Sequence, residues 1–157
     1  MGTMASEIFD LFMTSISDFK LDTIYSDSGA EGLNNALEPW LLFSIADFDE
    51  TCTQSLSYTT IENSGWNDGE FDVCLTNKNK VILALIMLRY WLARQVQDVL
   101  QMNNYLQDHD FKRYSEANNL RAKTEYLRQT IERLDARLVE YGYDNNSWSN
   151  WQNQNFG

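Results

Sequence analysis

The sequence predicts a mainly α-helical bundle of about four helices, with a β-hairpin or long loop inserted between helices two and three and an extended C-terminal tail. Three observations lead there. The chain holds one proline and seven glycines in 157 residues, too few breakers for a loop-rich fold. Apolar residues recur at helical spacing in four separate stretches. One intervening stretch alternates with period two instead. With 43% apolar and 13% aromatic residues, a chain of this length builds a single core of real size.

Helix one is expected over residues 5–19, where Ile8, Leu11, Phe12, Ile16 and Phe19 share one face. Ser6 is the candidate N-cap; its N3 residue is Phe9, so no capping box forms. Gly2 and Thr3 sit between two methionines and read as a cloning scar ahead of a start at Met4, outside the fold. Residues 26–32, SDSGAEG, read as a loop. Helix two follows over 33–48, with Leu33, Leu37, Trp40, Leu41, Phe43, Ile45 and Phe48 making it apolar on more than one side. Pro39 suits a first turn but not an interior, so this helix either starts near Glu38 or kinks there.

Residues 55–75 carry the alternation. Leu56, Tyr58 and Thr60 form one strand pattern, and Phe71, Val73 and Leu75 the other. The turn formers NSGWNDGE between them make a loop longer than a tight turn. Such a hairpin is marginal alone and needs cover from helices or a neighbour. Its tip, 63–70, is expected to be disordered in the isolated chain.

Thr76 is the candidate N-cap of helix three, 77–103. Residues 81–88 are apolar all round, as in a central helix covered on several sides. Their eight residues fall far short of the ~20 that span a bilayer, so no membrane association is expected. Helix four, 115–141, places Ala117, Leu120, Thr124, Leu127, Ile131, Leu134, Leu138 and Tyr141 at alternating spacings of 3 and 4. A coiled coil and a bundle helix share this pattern; packing on helix three is favoured because helix three needs cover. Gly142 is placed at the C′ position. Residues 1–143 thus form the folded domain and 144–157 the tail. In that tail Trp148, Trp151 and Phe156 punctuate an Asn, Ser and Gln background. With Tyr143 they are candidate anchors for a partner's pockets, against the plainer reading of an idle tail.

Charge divides the chain. Residues 1–75 hold 14 acids and one base, giving −13; residues 76–157 hold 9 acids and 11 bases, giving +2. That asymmetry suggests a two-faced molecule or serves solubility alone, and it lacks the basic stripe of a dedicated DNA binder. Cys52 and Cys74 are expected to be reduced and packed rather than bridged. His109 lies between Asp108 and Asp110, a run better suited to a solvated loop or a helix cap than to a metal ion. Asp110 is placed to help cap helix four. No phosphate-binding glycine loop, dinucleotide fingerprint or nucleophile elbow is present. No cofactor is implied, and binding or assembly rather than catalysis is the expected role.

The order of motifs resembles a family. Leu75, Thr76, Trp91, Leu92 and Gln95 match a Leu-Thr, apolar helix, Trp-Leu, Gln segment of the head–tail connector, or adaptor, proteins of tailed bacteriophages. DFKRYSEANNL (110–120), with Phe111 and Tyr114, resembles that family's link into its long helix. YGY (141–143) resembles its helix ending, and LFMTSISDF (11–19) its opening, with Ser15 in place of the usual lysine. The 53–72 region is longer here, and the Asn/Trp tail is peculiar to this chain.

The resemblance implies a structural neck protein of the virion, assembled in the host cytoplasm. It implies a homo-oligomeric ring, generally of twelve copies, joining the portal protein to the stopper or the next head-completion or tail ring. DNA would pass through the lumen without sequence-specific binding, and a C-terminal segment would dock on the portal. Trp91, Leu92, Phe111, Tyr114, Leu120, Leu127, Ile131, Leu134 and Leu138 are then the candidate ring and bundle-packing residues. The alternative is a small acidic helical protein that sequesters a basic partner in the manner of a DNA mimic.

Overall fold

A computed structural model describes residues 1–16, 19–61, 68–105 and 110–145, with side chains of 19–20, 102–105 and 110–116 left aside. Four helices run in order: α1 (Ala5–Met13), α2 (Phe19–Phe48), α3 (Asn77–Tyr105) and α4 (Asp110–Asn145). Between α2 and α3 lies an antiparallel hairpin of β1 (Tyr58–Thr59) and β2 (Glu70–Phe71), with Tyr58 opposite Phe71 and Thr59 opposite Glu70. The mainly helical bundle with an inserted hairpin is therefore the fold.

Helix α3 is its axis. Residues 82–88 are buried without interruption, because α1, α2 and α4 all pack on this helix and leave that stretch no solvent face. Thr76 caps it: its hydroxyl accepts from the Asn79 amide at 3.3 Å and its carbonyl from the Lys80 amide at 3.0 Å. Phe12, Phe48, Phe71, Leu37, Leu41 and Leu134 complete the core around it.

Several expectations need correction. Residues 2–3 are built into the sheet. Thr3 is 1% exposed; its amide donates to Val73 O at 3.1 Å and its carbonyl accepts from Phe71 N at 2.9 Å. Its hydroxyl accepts from the buried Leu75 amide at 2.8 Å. A Cβ on Gly2 would stand 1.5 Å from Phe71 O, so only glycine fits there. Two residues carry no readable period, and their pairing is purely tertiary, which hides them from pattern analysis.

Helix α1 ends at Met13, and Ile16 lies beyond it. Met4 occupies the N-cap position, and Ser6 is inside the first turn. Orphan amides there are met from elsewhere: Ala5 N donates to Gly69 O at 2.8 Å and Ser6 N to Asp68 Oδ1 at 3.2 Å. The hairpin thus caps the helix.

The loop expected at 26–32 contracts to one residue. Helix α2 spans it, broken only at Gly29, whose φ of 69° is open to glycine at little cost. The break therefore falls at Gly29 and not at Pro39, which lies inside the second limb. Pro39 is tolerated because the carbonyl it orphans belongs to exposed Asn35, within reach of water.

Helix α4 begins at Asp110, before the expected Ser115, since 110–120 contain no glycine or proline to interrupt it. It also runs through Gly142 to Asn145. The final turn is held by an ion pair between Lys78 and Asp144 and by Asn145 Nδ2 donating to Tyr141 O at 2.9 Å. Gly142 is consequently a helical residue, and Tyr143 stands on the helix. Both cysteines are free thiols. Of the tip expected to be disordered at 63–70, residues 68–70 are instead fixed, Asp68 and Gly69 by the amides of α1 and Glu70 in β2; 63–67, His109 and residues 146–157 lie outside the described residues.

Candidate functional site

The long helix α4 is the element on which most of the candidate residues fall, and its two sides differ. The inner side carries Leu127, Thr130, Leu134, Leu138 and Tyr141, all buried or half-buried. Leu134 is 0% exposed. Tyr141 ties α4 to the end of α2. Its hydroxyl accepts from the Thr53 amide at 2.9 Å, shares a hydrogen bond with Thr53 Oγ1 at 2.8 Å, and its ring meets Phe48 edge-on at 5.4 Å.

The outer side carries the other half of the seam. Ala117, Thr124 and Ile131 all face solvent, Ile131 at 38% exposure. Val139 is exposed on the same side. A predicted single stripe has thus been split between two environments. The packed row replaces Thr124 and Ile131 with Lys123 and Thr130. Lys123 is half-buried and donates through Nζ to Gln95 Oε1 at 3.2 Å. Thr130 returns its hydroxyl to Tyr126 O at 2.8 Å and packs as an apolar residue.

Charge on this face is organised along the helix. Arg128 donates through Nη2 to Glu125 Oε1 at 2.6 Å and through Nε to Glu125 Oε2 at 3.0 Å, and it also pairs with Glu132. Those donors, chiefly the Arg128 guanidinium, lower the Glu125 carboxyl to about 2. Tyr126 reaches across to the turn after α1, donating to Ser15 O at 2.5 Å.

Of the other candidates, Trp91 and Leu92 belong to the interior of the chain. Trp91 meets Phe12 edge-on at 6.1 Å and Trp40 at 5.9 Å, and Leu92 is buried. Leu120 is half-buried at the near end of the inner row. Phe111 and Tyr114 fall in the first turns of α4, with side chains outside the description. Tyr143 is 79% exposed on the last turn of α4. Trp148, Trp151 and Phe156 lie beyond the described residues.

Two features escaped the sequence reading. The first is an aromatic and arginine cluster across α2 and α3. Phe43, 55% exposed, stacks at a tilt on Tyr90 at 5.6 Å and lies 6.4 Å from Trp40. Arg89 sits over the Tyr90 ring at 4.9 Å and Arg94 over Trp40 at 5.6 Å. Asp47 Oδ2 accepts from Arg89 at 2.5 Å and from the Tyr90 hydroxyl at 2.6 Å. The hydrogen bond to Asp47, then partial burial, pushes the Tyr90 phenol up. Its one signal in the sequence was Phe43, apolar on the wrong side of helix two.

The second feature is a cavity of about 310 Å³ where α2, α3 and α4 meet, lined by Asp47 and Thr51, Ile86 and Arg89, and the last turns of α4 from Leu134 to Gly142. Among the described residues no group of three His, Cys, Asp or Glu side chains is arranged to hold a metal ion, and no helix is long and apolar enough to cross a membrane. No family model, curated protein or solved structure matches the chain.

Proposed function

We propose that the chain is a non-enzymatic connector of a tailed phage. Copies pack side by side into a ring, of twelve in the resembled family, between the portal and the next neck ring. DNA passes through the lumen, and the tail that follows α4 docks on the portal. The protein acts in the virion neck after assembly in the host cytoplasm.

The observation that carries this reading is the unused row of α4. A 36-residue helix spends one side of its heptad seam on its own bundle and leaves Ala117, Thr124 and Ile131 outside. A second copy is the partner such a row suits, since the heptad period lets one helix serve two seams. The charge division supports the same arrangement. A contact between the acidic first half of one copy and the basic-leaning second half of the next joins unlike surfaces, and unlike surfaces close into rings rather than pairs. An acidic lumen would also let DNA slide, because adhesion depends on neutralising phosphates.

The test is imaging. Purified protein is mixed with portal-bearing, DNA-filled capsids that lack a neck, and the vertex is viewed by cryo-electron microscopy. A ring of added density below the portal is the expected result. A bare vertex with folded, helical protein moves the reading to the acidic protein that sequesters a basic partner.

A further inference from the structure

On α4 most carboxylates have a cation of their own. Glu125 and Glu132 are held by Arg128, Glu140 faces Arg137 at 3.8 Å, and Asp144 pairs with Lys78. Among the described side chains of that helix, Asp135 is the carboxylate without one, and it is exposed. It stands between Ile131 and Val139, four positions from each, so apolar, acid and apolar follow one another along an exposed ridge. From α1 to α3 the converse holds. Lys80 pairs with Glu7, Arg89 with Asp47 and Lys78 with Asp144. Among the described lysine and arginine side chains there, Arg94 is exposed and has no carboxylate. It lies over the Trp40 ring at 5.6 Å, and Trp40 is 6.4 Å from exposed Phe43. Stacking orders a guanidinium by its face and leaves the N–H donors in its plane for a carboxylate.

We infer that these are the two halves of one contact between copies. The ridge of Ile131, Asp135 and Val139 on one copy seats on the patch of Phe43, Trp40 and Arg94 on the next, with the Asp135 carboxylate on the Arg94 guanidinium. The inference rests on the connector reading and names the surface that receives the outer row of α4. The fold permits it. Among the described residues α2 and α4 each pack on α3, and on one another chiefly where Phe48 meets Tyr141. Patch and ridge therefore sit on different flanks of the bundle, and a contact between two different surfaces repeats head to tail and closes into a ring. Composition points the same way. Aromatic residues and arginine are enriched at the centres of interfaces. The unmatched cation of the patch calls for a carboxylate bracketed by apolar side chains, which the ridge supplies.

The pair runs against the general division of charge, in which the first half of the chain is the acidic one. That reversal fixes register. Arg128 and Arg121 stand seven and fourteen positions before Asp135, on the same side of the helix. A copy slid along α4 by about two turns, or by twice that, brings Arg94 against a like charge. Like charges across an interface suppress the wrong arrangement, while the matched pair holds the right one.

The experiment is a charge exchange in the full chain, mixed with neckless, portal-bearing capsids and scored by cryo-electron microscopy as the fraction of vertices that carry a ring. Arg94→Glu and Asp135→Arg are each expected to lower that fraction several-fold. The double variant is expected to restore most of it, because the pair is re-formed with its signs exchanged. Circular dichroism melts verify that each variant is folded. A neutral set, Arg94→Gln and Asp135→Asn, is gentler on the fold and repeats the test as a cycle. There the double variant is expected to be no worse than either single one, and additive losses overturn the pair. Rings at full occupancy from both charge-reversed single variants overturn the inference and leave the connector reading standing. Losses that the exchanged double variant does not recover do the same. A bare vertex with the unaltered chain overturns the reading and the inference together.

Discussion

The two sides of α4 share one sequence period and do opposite things. On the inner side Leu134 is 0% exposed and Tyr141 is bonded to the end of α2. On the outer side Ile131, three positions earlier, is 38% exposed. An apolar residue at a heptad position therefore says that a surface is available for packing, and not what packs on it. The packing partner is decided by the register of α3, which lies outside α4's own sequence.

The contrast can be broken by substitution. Leu134→Ala is expected to cost about 2–5 kcal/mol by leaving a cavity under α3, whereas Ile131→Ala should stay within about 1 kcal/mol. Urea unfolding followed by circular dichroism separates the two, and equal losses would mean that the rows are not distinct. Tyr141→Phe keeps the ring against Phe48 and removes the hydroxyl that receives the Thr53 amide. The expected loss is about 1–2 kcal/mol, read in the same assay.

The N-terminal segment gives a control away from α4. Thr3→Val retains shape but leaves the Leu75 amide unsatisfied, for a loss of about 1 kcal/mol or slightly more. Faster hydrogen exchange at Leu75 is the local signature.

The smallest effect is electrostatic. Glu125 is lowered to about 2 by Arg128 and Gln129, from an unfolded value of ~4.3. A depressed carboxyl contributes stability above its unfolded value and loses it as pH falls through the folded one. Its share is therefore present near neutrality and disappears between about pH 4 and 2. Because the pair is exposed, added salt weakens it as well. Titration of the Glu125 carboxyl carbon by NMR checks the value.

Much of the fold was legible for a physical reason. The apolar run at 81–88 has no polar side, so it had to be central, and the structure buries 82–88 without a gap. Period-two alternation marked Tyr58 and Phe71, which pair across the hairpin. What failed was phase and punctuation. Thr130 and Lys123 fall off the expected seam and yet pack, one satisfying its hydroxyl within the helix and the other half-buried with its Nζ donating to Gln95. Gly142 looked like a stop, but ties from Lys78 to Asp144 carry the helix past it. Pro39 looked like a break, and the break fell at Gly29. The cavity and the Phe43–Tyr90 cluster bring together segments 35 to 95 positions apart in the chain, and no local pattern encodes such meetings.

The most direct test of the central claim is to compare unaltered protein with Ile131→Glu on neckless, portal-bearing capsids by cryo-electron microscopy. A carboxylate on an exposed position should leave folding within about 0.5 kcal/mol, as a matched thermal melt would verify. The account predicts a ring below the portal for the unaltered chain and a bare vertex for the variant. A complete ring built from Ile131→Glu would contradict it, because the outer row of α4 would then have no part in joining the copies.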